Sequence, residues 1–219
     1  MPAYYVTATG TDIGKTYIAA SLLKAWRGRG YGVAATKPVM TGFDEDDLVR
    51  SDCGRLLEAM GQACVPAAVS EMCLHRLAPP LAPNVAMRKA GMKQDYGGIR
   101  DFVFRRLKMP ADRHLVEGAG GVMSPLTDTS LQLDLMTDLE LPVILVTAAY
   151  LGSVSHTLSA IDALRSRGLY IMSVIVSEPV QGQGDLVTFC EEISRFRNVP
   201  IDIVAYGNGK PPLSLLSEG

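Results

Sequence analysis

The sequence predicts an α/β fold, a single-domain, doubly wound, mostly parallel sheet flanked by helices. Two observations predict it. Short apolar runs alternate with longer helical patterns along the whole chain, and this alternation is typical of βαβ crossovers. One run, Val143 to Thr147 (VILVT), is almost continuously apolar, as expected for a strand buried on both faces of a parallel sheet. Ligands of such folds bind at the carboxyl ends of the strands, so we expect the functional residues there.

Each element follows from its local pattern. The β-rich or apolar stretches predict strands at 3–9, 32–36, 114–116, 143–147, 170–177 and 201–204. Apolar residues spaced by three or four predict helices at 15–28, about 46–60, 95–107, 152–167 and 186–197. In the first helix Ile18, Leu22, Leu23 and Trp26 share one face, and Gly28 follows them.

The stretch 61–92 is the least regular part of the chain and contains four prolines. We interpret it as a long functional excursion within one domain that covers residues 1–219, and not as a second domain. The Asp44–Asp47 acidic cluster is expected to bias the N-terminus of the helix predicted at 46–60.

Composition narrows the function classes. The chain has 219 residues, 47% of them hydrophobic, which is compatible with one packed domain and argues against general disorder. Its formal net charge of −2 argues against a nucleic-acid-binding surface. The four cysteines show no metal-binding spacing, no apolar run is long enough to span a bilayer, and the N-terminus does not resemble a signal peptide. We expect a cytoplasmic protein with free thiols and no membrane partner.

A phosphate-binding loop is predicted between the first strand and the first helix, at Thr9 to Thr16 (TGTDIGKT). Backbone N–H groups at a helix N-terminus bind anions. Lys15 would reach the outer phosphates of a nucleotide, and Thr16 would place its hydroxyl on Mg²⁺. Thr9 stands where the usual G-x-x-x-x-G-K-[ST] pattern has its first glycine. The Gly-Lys-Thr triplet nevertheless falls at the strand-to-helix junction where this function needs it.

Three further residues point to the same edge of the sheet. Lys37 ends the second strand and is a candidate second cation for a transferred phosphoryl group. Glu117 ends the third strand and is followed by glycines, a position suited to an acid that holds Mg²⁺. Asp52 follows the Lys37 loop and could reach the same metal.

Together these segments resemble the dethiobiotin synthetase family. The matching blocks run from the N-terminus to about residue 180, in the order of the family. They are residues 11–16, Lys37-Pro38-Val39 with Thr41-Gly42, Ser51-Asp52, Leu81-Ala82-Pro83, residues 116–121 (VEGAGG), residues 125–128 (PLTD), residues 141–146 (LPVILV), Leu151-Gly152 and His156.

The resemblance implies a P-loop fold and an ATP-dependent ligase of biotin biosynthesis that is a cytoplasmic homodimer. Its substrates would be 7,8-diaminopelargonate, CO₂ and ATP, with Mg²⁺ as cofactor. One amine takes up CO₂ to form a carbamate, the carbamate attacks the γ-phosphate of ATP, and the second amine closes the ureido ring and expels phosphate.

The resemblance also assigns roles to residues. Lys15, Lys37 and Thr11 would be catalytic, and Thr16, Asp52 and Glu117 would hold the metal. The substrate would contact Thr41 and, from the partner subunit, the helix start at Leu151, Gly152, Ser153 and Ser155. The nucleotide site would comprise Asp12, Ile13, Gly14, Lys15, Thr16, Tyr17, Asp52, Glu117, Gly118, Ala119, Gly120, Ser177 and Glu178.

The chain departs from the family pattern at the end that binds the base. Ser177-Glu178 stands where the family often has Asn-Asp, and the tail at 207–210 lacks the usual Gly-x-x-Pro. An amide reads an adenine edge with both a donor and an acceptor, whereas serine offers one short hydroxyl. We therefore expect weaker or broader base selectivity.

Three other functions stay open at this point. A sister amide-forming synthetase on the same scaffold would not turn over diaminopelargonate. A nucleotide-switched partitioning or positioning ATPase usually carries an extra lysine near the start of the loop, and residues 7–13 contain none. A nucleotide-binding module without activity would not be expected to retain Lys15, Thr16, Lys37, Asp52 and Glu117 together.

Overall fold

The computed structural model describes residues 2–178 and 185–205. Within them, six parallel strands form the main sheet in the order β2-β5-β1-β6-β7-β8, and β3 and β4 form a separate parallel pair. The strands are β1 (Ala3–Ala8), β2 (Val33–Thr36), β3 (Val39–Thr41), β4 (His75–Leu77), β5 (Arg113–Glu117), β6 (Val143–Thr147), β7 (Ile171–Ser177) and β8 (Ile201–Val204). The helices are α1 (Lys15–Gly28), α2 (Asp52–Met60), α3 (Pro66–Met72), α4 (Pro83–Lys89), α5 (Tyr96–Leu107), α6 (Gln132–Leu139), α7 (Ser153–Ser166) and α8 (Leu186–Phe196).

Helices cover both faces of the sheet and bury two hydrophobic clusters. One cluster packs α1 and α2 against the sheet and includes Trp26 and Leu56. The other packs α5, α6 and α7 against the opposite face and includes Ile99 and Ile161. Strands β5, β6 and β7 are buried along their whole length because both faces are covered. The predicted doubly wound, mostly parallel α/β fold is confirmed.

The prediction of a helix from about residue 46 is wrong at its start, because α2 begins at Asp52. The Ser51 hydroxyl accepts a hydrogen bond from the Gly54 N–H at 3.0 Å and so fixes the N-terminus there. Residues 44–47 lie in the preceding irregular stretch. The expected effect of the Asp44–Asp47 cluster on a helix N-terminus is therefore also wrong.

The interpretation of 61–92 as irregular missed three elements, α3, β4 and α4. Pro66 and Pro83 begin α3 and α4, where proline is tolerated because the first N–H groups of a helix have no intrahelical partner. Strand β4 pairs with β3, and the Lys37 N–H donates to the Met72 carbonyl at 3.0 Å. This segment therefore anchors the chain between Lys37 and Thr41.

No helix within residues 2–178 and 185–205 is both long enough and apolar enough to cross a membrane. The four cysteines are free thiols, as expected.

Candidate functional site

The phosphate loop lies at the carboxyl end of β1, where the chain turns into α1. Gly14 adopts a left-handed conformation with φ of 97° and forms the N-cap of the helix. A side chain is excluded there, since a Cβ on Gly14 would lie 2.8 Å from the Ser177 hydroxyl oxygen. The loop also packs against the glycines after β5, and a Cβ on Gly121 would lie 3.1 Å from the Ala8 carbonyl oxygen. The glycines thus allow two backbone segments to meet beside the helix N-terminus.

Lys37 is the centre of the charged network at this edge. Its ammonium nitrogen lies 2.6 Å from Glu117 Oε1 and 2.7 Å from Asp52 Oδ2. It also donates to the Gly118 carbonyl at 3.4 Å. Strands β2 and β5 are neighbours in parallel register, so Lys37 and Glu117 come together at the ends of adjacent strands. Asp52 reaches them from the first residue of α2.

The phosphate loop joins this network through two side chains. The Thr16 hydroxyl donates to Glu117 Oε1 at 2.7 Å. The Lys15 ammonium is buried and donates to the Gly10 carbonyl at 3.3 Å, a long contact that leaves most of its hydrogen-bonding capacity free. Lys15 is therefore placed to receive an anionic ligand.

The electrostatics differ between the two lysines. Burial alone would lower the pKa of Lys37, but the adjacent Glu117 and Asp52 carboxylates outweigh it and raise that pKa. Burial, together with repulsion from Lys37, lowers the pKa of Lys15. Burial acts to raise the pKa of Asp52, yet the ion pair with Lys37 holds it below its ordinary value. Lys37 is thus a fixed cation, while Lys15 lacks a full counter-charge.

The structure offers oxygen ligands that fit Mg²⁺. Glu117 Oε2 is buried and has no hydrogen-bond partner within the described residues, which is an expensive state for a carboxylate oxygen. The Thr16 hydroxyl bonds the same carboxylate, and Asp52 lies on the other side of Lys37. Two carboxylates and a hydroxyl form the hard donor set that this ion prefers.

A cavity of about 330 Å³ collects most of the predicted residues. Its walls come from the phosphate loop, the end of β3, the start of α2 and the glycine loop after β5. The lining residues are Thr11, Asp12, Gly14, Lys15, Thr16, Tyr17, Lys37, Thr41, Asp52, Arg55, Ala119 and Gly120. The predicted metal residue Glu117 lies behind this wall, in contact with Thr16 and Lys37.

Besides Glu117, four residues predicted for the nucleotide site do not line this cavity. Ile13 packs partly against the hydrophobic cluster under α1, and Gly118 lies behind the cavity beside Tyr5. Ser177 is buried next to Gly14. The Glu178 N–H donates to the Val204 carbonyl at 3.0 Å. The tail motif at 207–210, which also entered the prediction on base selectivity, lies outside the described residues.

The predicted substrate residues fall into two groups. Thr41 lines the cavity with the phosphate loop. Leu151, Gly152, Ser153 and Ser155 lie at the start of α7 and line neither this cavity nor the one beside it. Ser153 is buried, and its hydroxyl donates to the Tyr150 carbonyl at 2.6 Å. Leu151 is fully exposed.

A second cavity, of about 600 Å³, lies on the other side of the glycine loop. Thr9, Gly10 and Gly121 form the wall nearest the phosphate loop, and Tyr150 and His156 form the wall on the α7 side. The Tyr150 hydroxyl lies 2.9 Å from His156 Nδ1. This cavity extends from the phosphate loop towards the start of α7.

Two features of the site were not predicted from the sequence. Arg55 lines the first cavity, and its position one turn after Asp52 was the only available signal. Tyr5 is buried and donates to Gln132 Oε1 at 2.7 Å, directly behind Gly118. No sequence motif marks this second pair.

Known proteins resemble this chain in sequence over most of its length. A family model described as an AAA domain matches residues 2–204. The chain is 45% identical over 182 residues to the ATP-dependent dethiobiotin synthetase BioD of Caulobacter vibrioides, covering 81% of this chain and 80% of that protein. It is 37% identical over 216 residues to the ATP-dependent dethiobiotin synthetase BioD of Methylobacterium nodulans, covering 96% of each chain.

Solved structures of low sequence identity show the fold alone. Chloroplast FtsY from Physcomitrella patens matches with a TM-score of 0.51 and 13% identity, over 96% of this chain and 61% of that one. The FtsY protein of Thermotoga maritima matches with a TM-score of 0.51 and 14% identity, over 95% and 63% of the two chains. The family follows from the sequence relatives, which match the chain over most of its length: this chain belongs to the ATP-dependent dethiobiotin synthetase family.

Proposed function

We propose that the chain catalyses the ATP-dependent carboxylation and ring closure of 7,8-diaminopelargonate with CO₂, giving dethiobiotin, ADP and phosphate. The observation that carries the proposal is the meeting of Lys15, Lys37 and Thr41 around one cavity beside the phosphate loop, in a chain that belongs to this family.

The reaction has three bond-forming steps. One amine of the substrate adds to CO₂ and loses a proton, which gives a carbamate. A carbamate oxygen then attacks the γ-phosphorus of ATP, and ADP leaves as the new O–P bond forms. The second amine attacks the carbamoyl carbon of this mixed anhydride, loses a proton, and expels phosphate as the ring closes.

Positive charge is the main requirement of the second step, because an anionic carbamate must approach an anionic nucleotide. Lys15 and Lys37 both line the cavity and supply its cations, and the N-terminus of α1 adds its backbone N–H groups. Thr11 and Thr41 would hold the carbamate end by hydrogen bonds. Burial of Lys37 keeps it fixed, so little reorganisation is needed during phosphoryl transfer.

Thr16, Asp52 and Glu117 would hold Mg²⁺. The bound ion supplies charge neutralisation at the nucleotide phosphates. The unpartnered Glu117 Oε2 supports this assignment. Asp12, Ile13, Gly14, Tyr17, Gly118, Ala119 and Gly120 would complete the phosphate side of the nucleotide site, with Ser177 and Glu178 towards the base.

The substrate carboxylate would bind at the start of α7 of a partner subunit, near Leu151, Gly152, Ser153 and Ser155, in a homodimer. Leu151 is fully exposed and the adjacent Tyr150 is 43% exposed, so two neighbouring apolar side chains face outwards here, which supports a contact with another chain. The second cavity would accept the aliphatic part of the substrate. The proposal takes residues 1–219 as one synthetase domain acting in the cytoplasm on small molecules.

The proposal is tested by ADP release from the purified chain, with each of diaminopelargonate, bicarbonate and Mg²⁺ omitted in turn. We expect ADP release to depend on the diamine and to match dethiobiotin formation mole for mole. A nucleotide-switched ATPase would instead release ADP without the diamine. A sister amide-forming synthetase would bind ATP but release no ADP until its own acid substrate was supplied.

A further inference from the structure

We propose that Arg55 is a third cation of the nucleotide site and that it binds the terminal phosphate of ATP. This inference deepens the proposed function and rests on it for the identity of the nucleotide. None of the sequence motifs of the site includes Arg55.

Helix α2 places Arg55 at the first cavity. Arg55 lies on α2 three residues after Asp52, and residues three apart share one face of a helix. Both residues line the first cavity, together with Lys15 and Lys37. Gly54 allows α2 to pack close to the preceding loop, because a Cβ there would collide with the carbonyl oxygens of Leu48 and Val49. The helix start that presents Arg55 is therefore held in place.

The charge of the cavity also favours an anionic ligand. Among the residues that the structure describes, three cations line the cavity, Lys15, Lys37 and Arg55, together with two acids, Asp12 and Asp52. Lys37 is already paired with Asp52 and Glu117, so its charge is largely matched before any ligand binds. A triphosphate carries several negative charges. Within the described part of the chain, the cations of the cavity that are left to match it are Lys15 and Arg55.

The Arg55 side chain has no partner among the described residues. It is exposed and makes no ion pair or hydrogen bond within residues 2–178 and 185–205. A cation near a helix N-terminus is also disfavoured by the helix dipole, so this position does not stabilise α2. A guanidinium does fit two phosphate oxygens at once. Phosphate binding is the role that accounts for its position.

The test compares Arg55→Ala and Arg55→Lys with the control Arg50→Ala by calorimetric titration without the diamine. Arg50 is 86% exposed, pairs with Asp47 and does not line the cavity. The probes are Mg²⁺ complexes of ADP and of the ATP analogue that has an imido bridge between its β- and γ-phosphates. We expect Arg55→Ala to weaken binding of the analogue about tenfold and to leave the affinity for ADP almost unchanged. Arg55→Lys should fall between the wild type and Arg55→Ala, and Arg50→Ala should match the wild type.

Two results would overturn the inference. One is unchanged binding of the analogue by Arg55→Ala, including the case in which only the KM for the diamine rises, because the arginine would then recognise the other substrate or nothing. The other is an equal loss for ADP and the analogue, because the terminal phosphate would not be the partner. Neither result depends on dethiobiotin formation, so this test can succeed even if the proposed reaction fails.

Discussion

Lys37 Nζ lies 2.6 Å from Glu117 Oε1, and both side chains are almost fully buried. The pair joins the ends of two neighbouring strands, since β2 and β5 are in parallel register. A buried ion pair brings little net stability, but removal of one partner leaves the other charge uncompensated. The same contact therefore governs both the folding and the chemistry of this site.

Lys37→Met should lower kcat by about a thousandfold, because a fixed cation is lost from the site of phosphoryl transfer. It should also lower the free energy of unfolding by about 3 to 5 kcal/mol, because Glu117 stays buried without its partner. Initial rates and urea unfolding measure the two effects.

The double variant Lys37→Met with Glu117→Gln separates these effects. It should recover most of the stability and none of the activity. Lys24→Met is the matched control, since Lys24 pairs with Glu58 at 3.4 Å on the surface, and it should change neither quantity. A Lys37→Met enzyme with normal kcat would contradict the assigned role.

Gly121→Ala should weaken nucleotide binding by about tenfold or more, because its Cβ would lie 3.1 Å from the Ala8 carbonyl and 3.2 Å from the Gly10 nitrogen and would displace the phosphate loop. Gly28→Ala is the control. Gly28 is the last residue of α1, with no other atom within 4 Å of an added Cβ. The Gly28→Ala variant should keep the wild-type affinity for the nucleotide, and its free energy of unfolding should rise by about 0.5 to 1 kcal/mol. Equal affinities in the two variants would show that the close approach of the loops is not needed.

His114 should make the protein less stable in acid. Burial, with a smaller effect of Arg106, lowers the pKa of His114 from 6.5 to about 4. Between these values the unfolded chain binds a proton that the folded chain does not, so stability falls as pH drops from 6.5 towards 4. His114→Gln should lose less stability over this range while keeping a hydrogen bond to Thr36, which lies 2.8 Å from the His114 ring. Urea unfolding across the range measures both slopes, and parallel slopes would refute the assignment.

At the proposed base site Ser177 offers one hydroxyl where the family often has an amide that both donates and accepts, so base selectivity should be weak. We expect comparable kcat/KM values for ATP, CTP and GTP under identical Mg²⁺ concentrations. The affinity for AMP is measured as well, because AMP lacks the β- and γ-phosphates and its binding therefore depends more on contacts with the base and sugar. A strong preference for ATP would mean that other residues read the base.

Site residues could be predicted from the sequence where a charged residue stands at the end of a predicted strand. Lys37 and Glu117 were found because each ends a strand predicted to reach the same edge as the Gly-Lys-Thr loop. Strand β6, which is buried on both faces, has the predicted bounds Val143–Thr147 because its apolar run is continuous.

The missed elements have physical reasons. Strands β3 and β4 have three residues each, too few to show a period. Proline is typical of loops, so Pro66 and Pro83 favour the prediction of an irregular segment, but both residues begin helices. In the sequence nothing distinguishes Arg55 from a solvent-exposed surface arginine. Its position at the cavity depends on the residue at which α2 starts. The apolar pattern predicts that this helix starts near residue 46, whereas Ser51 is its N-cap and α2 begins at Asp52.

The most direct test of the central claim uses purified chain with diaminopelargonate, ¹³C-bicarbonate, Mg²⁺ and ATP, and analyses the product by mass spectrometry. We predict dethiobiotin whose ureido carbon carries the label, formed by the wild type and almost absent with Lys37→Ala. No dethiobiotin from a protein that still binds ATP would contradict the account and indicate a synthetase for a different acid.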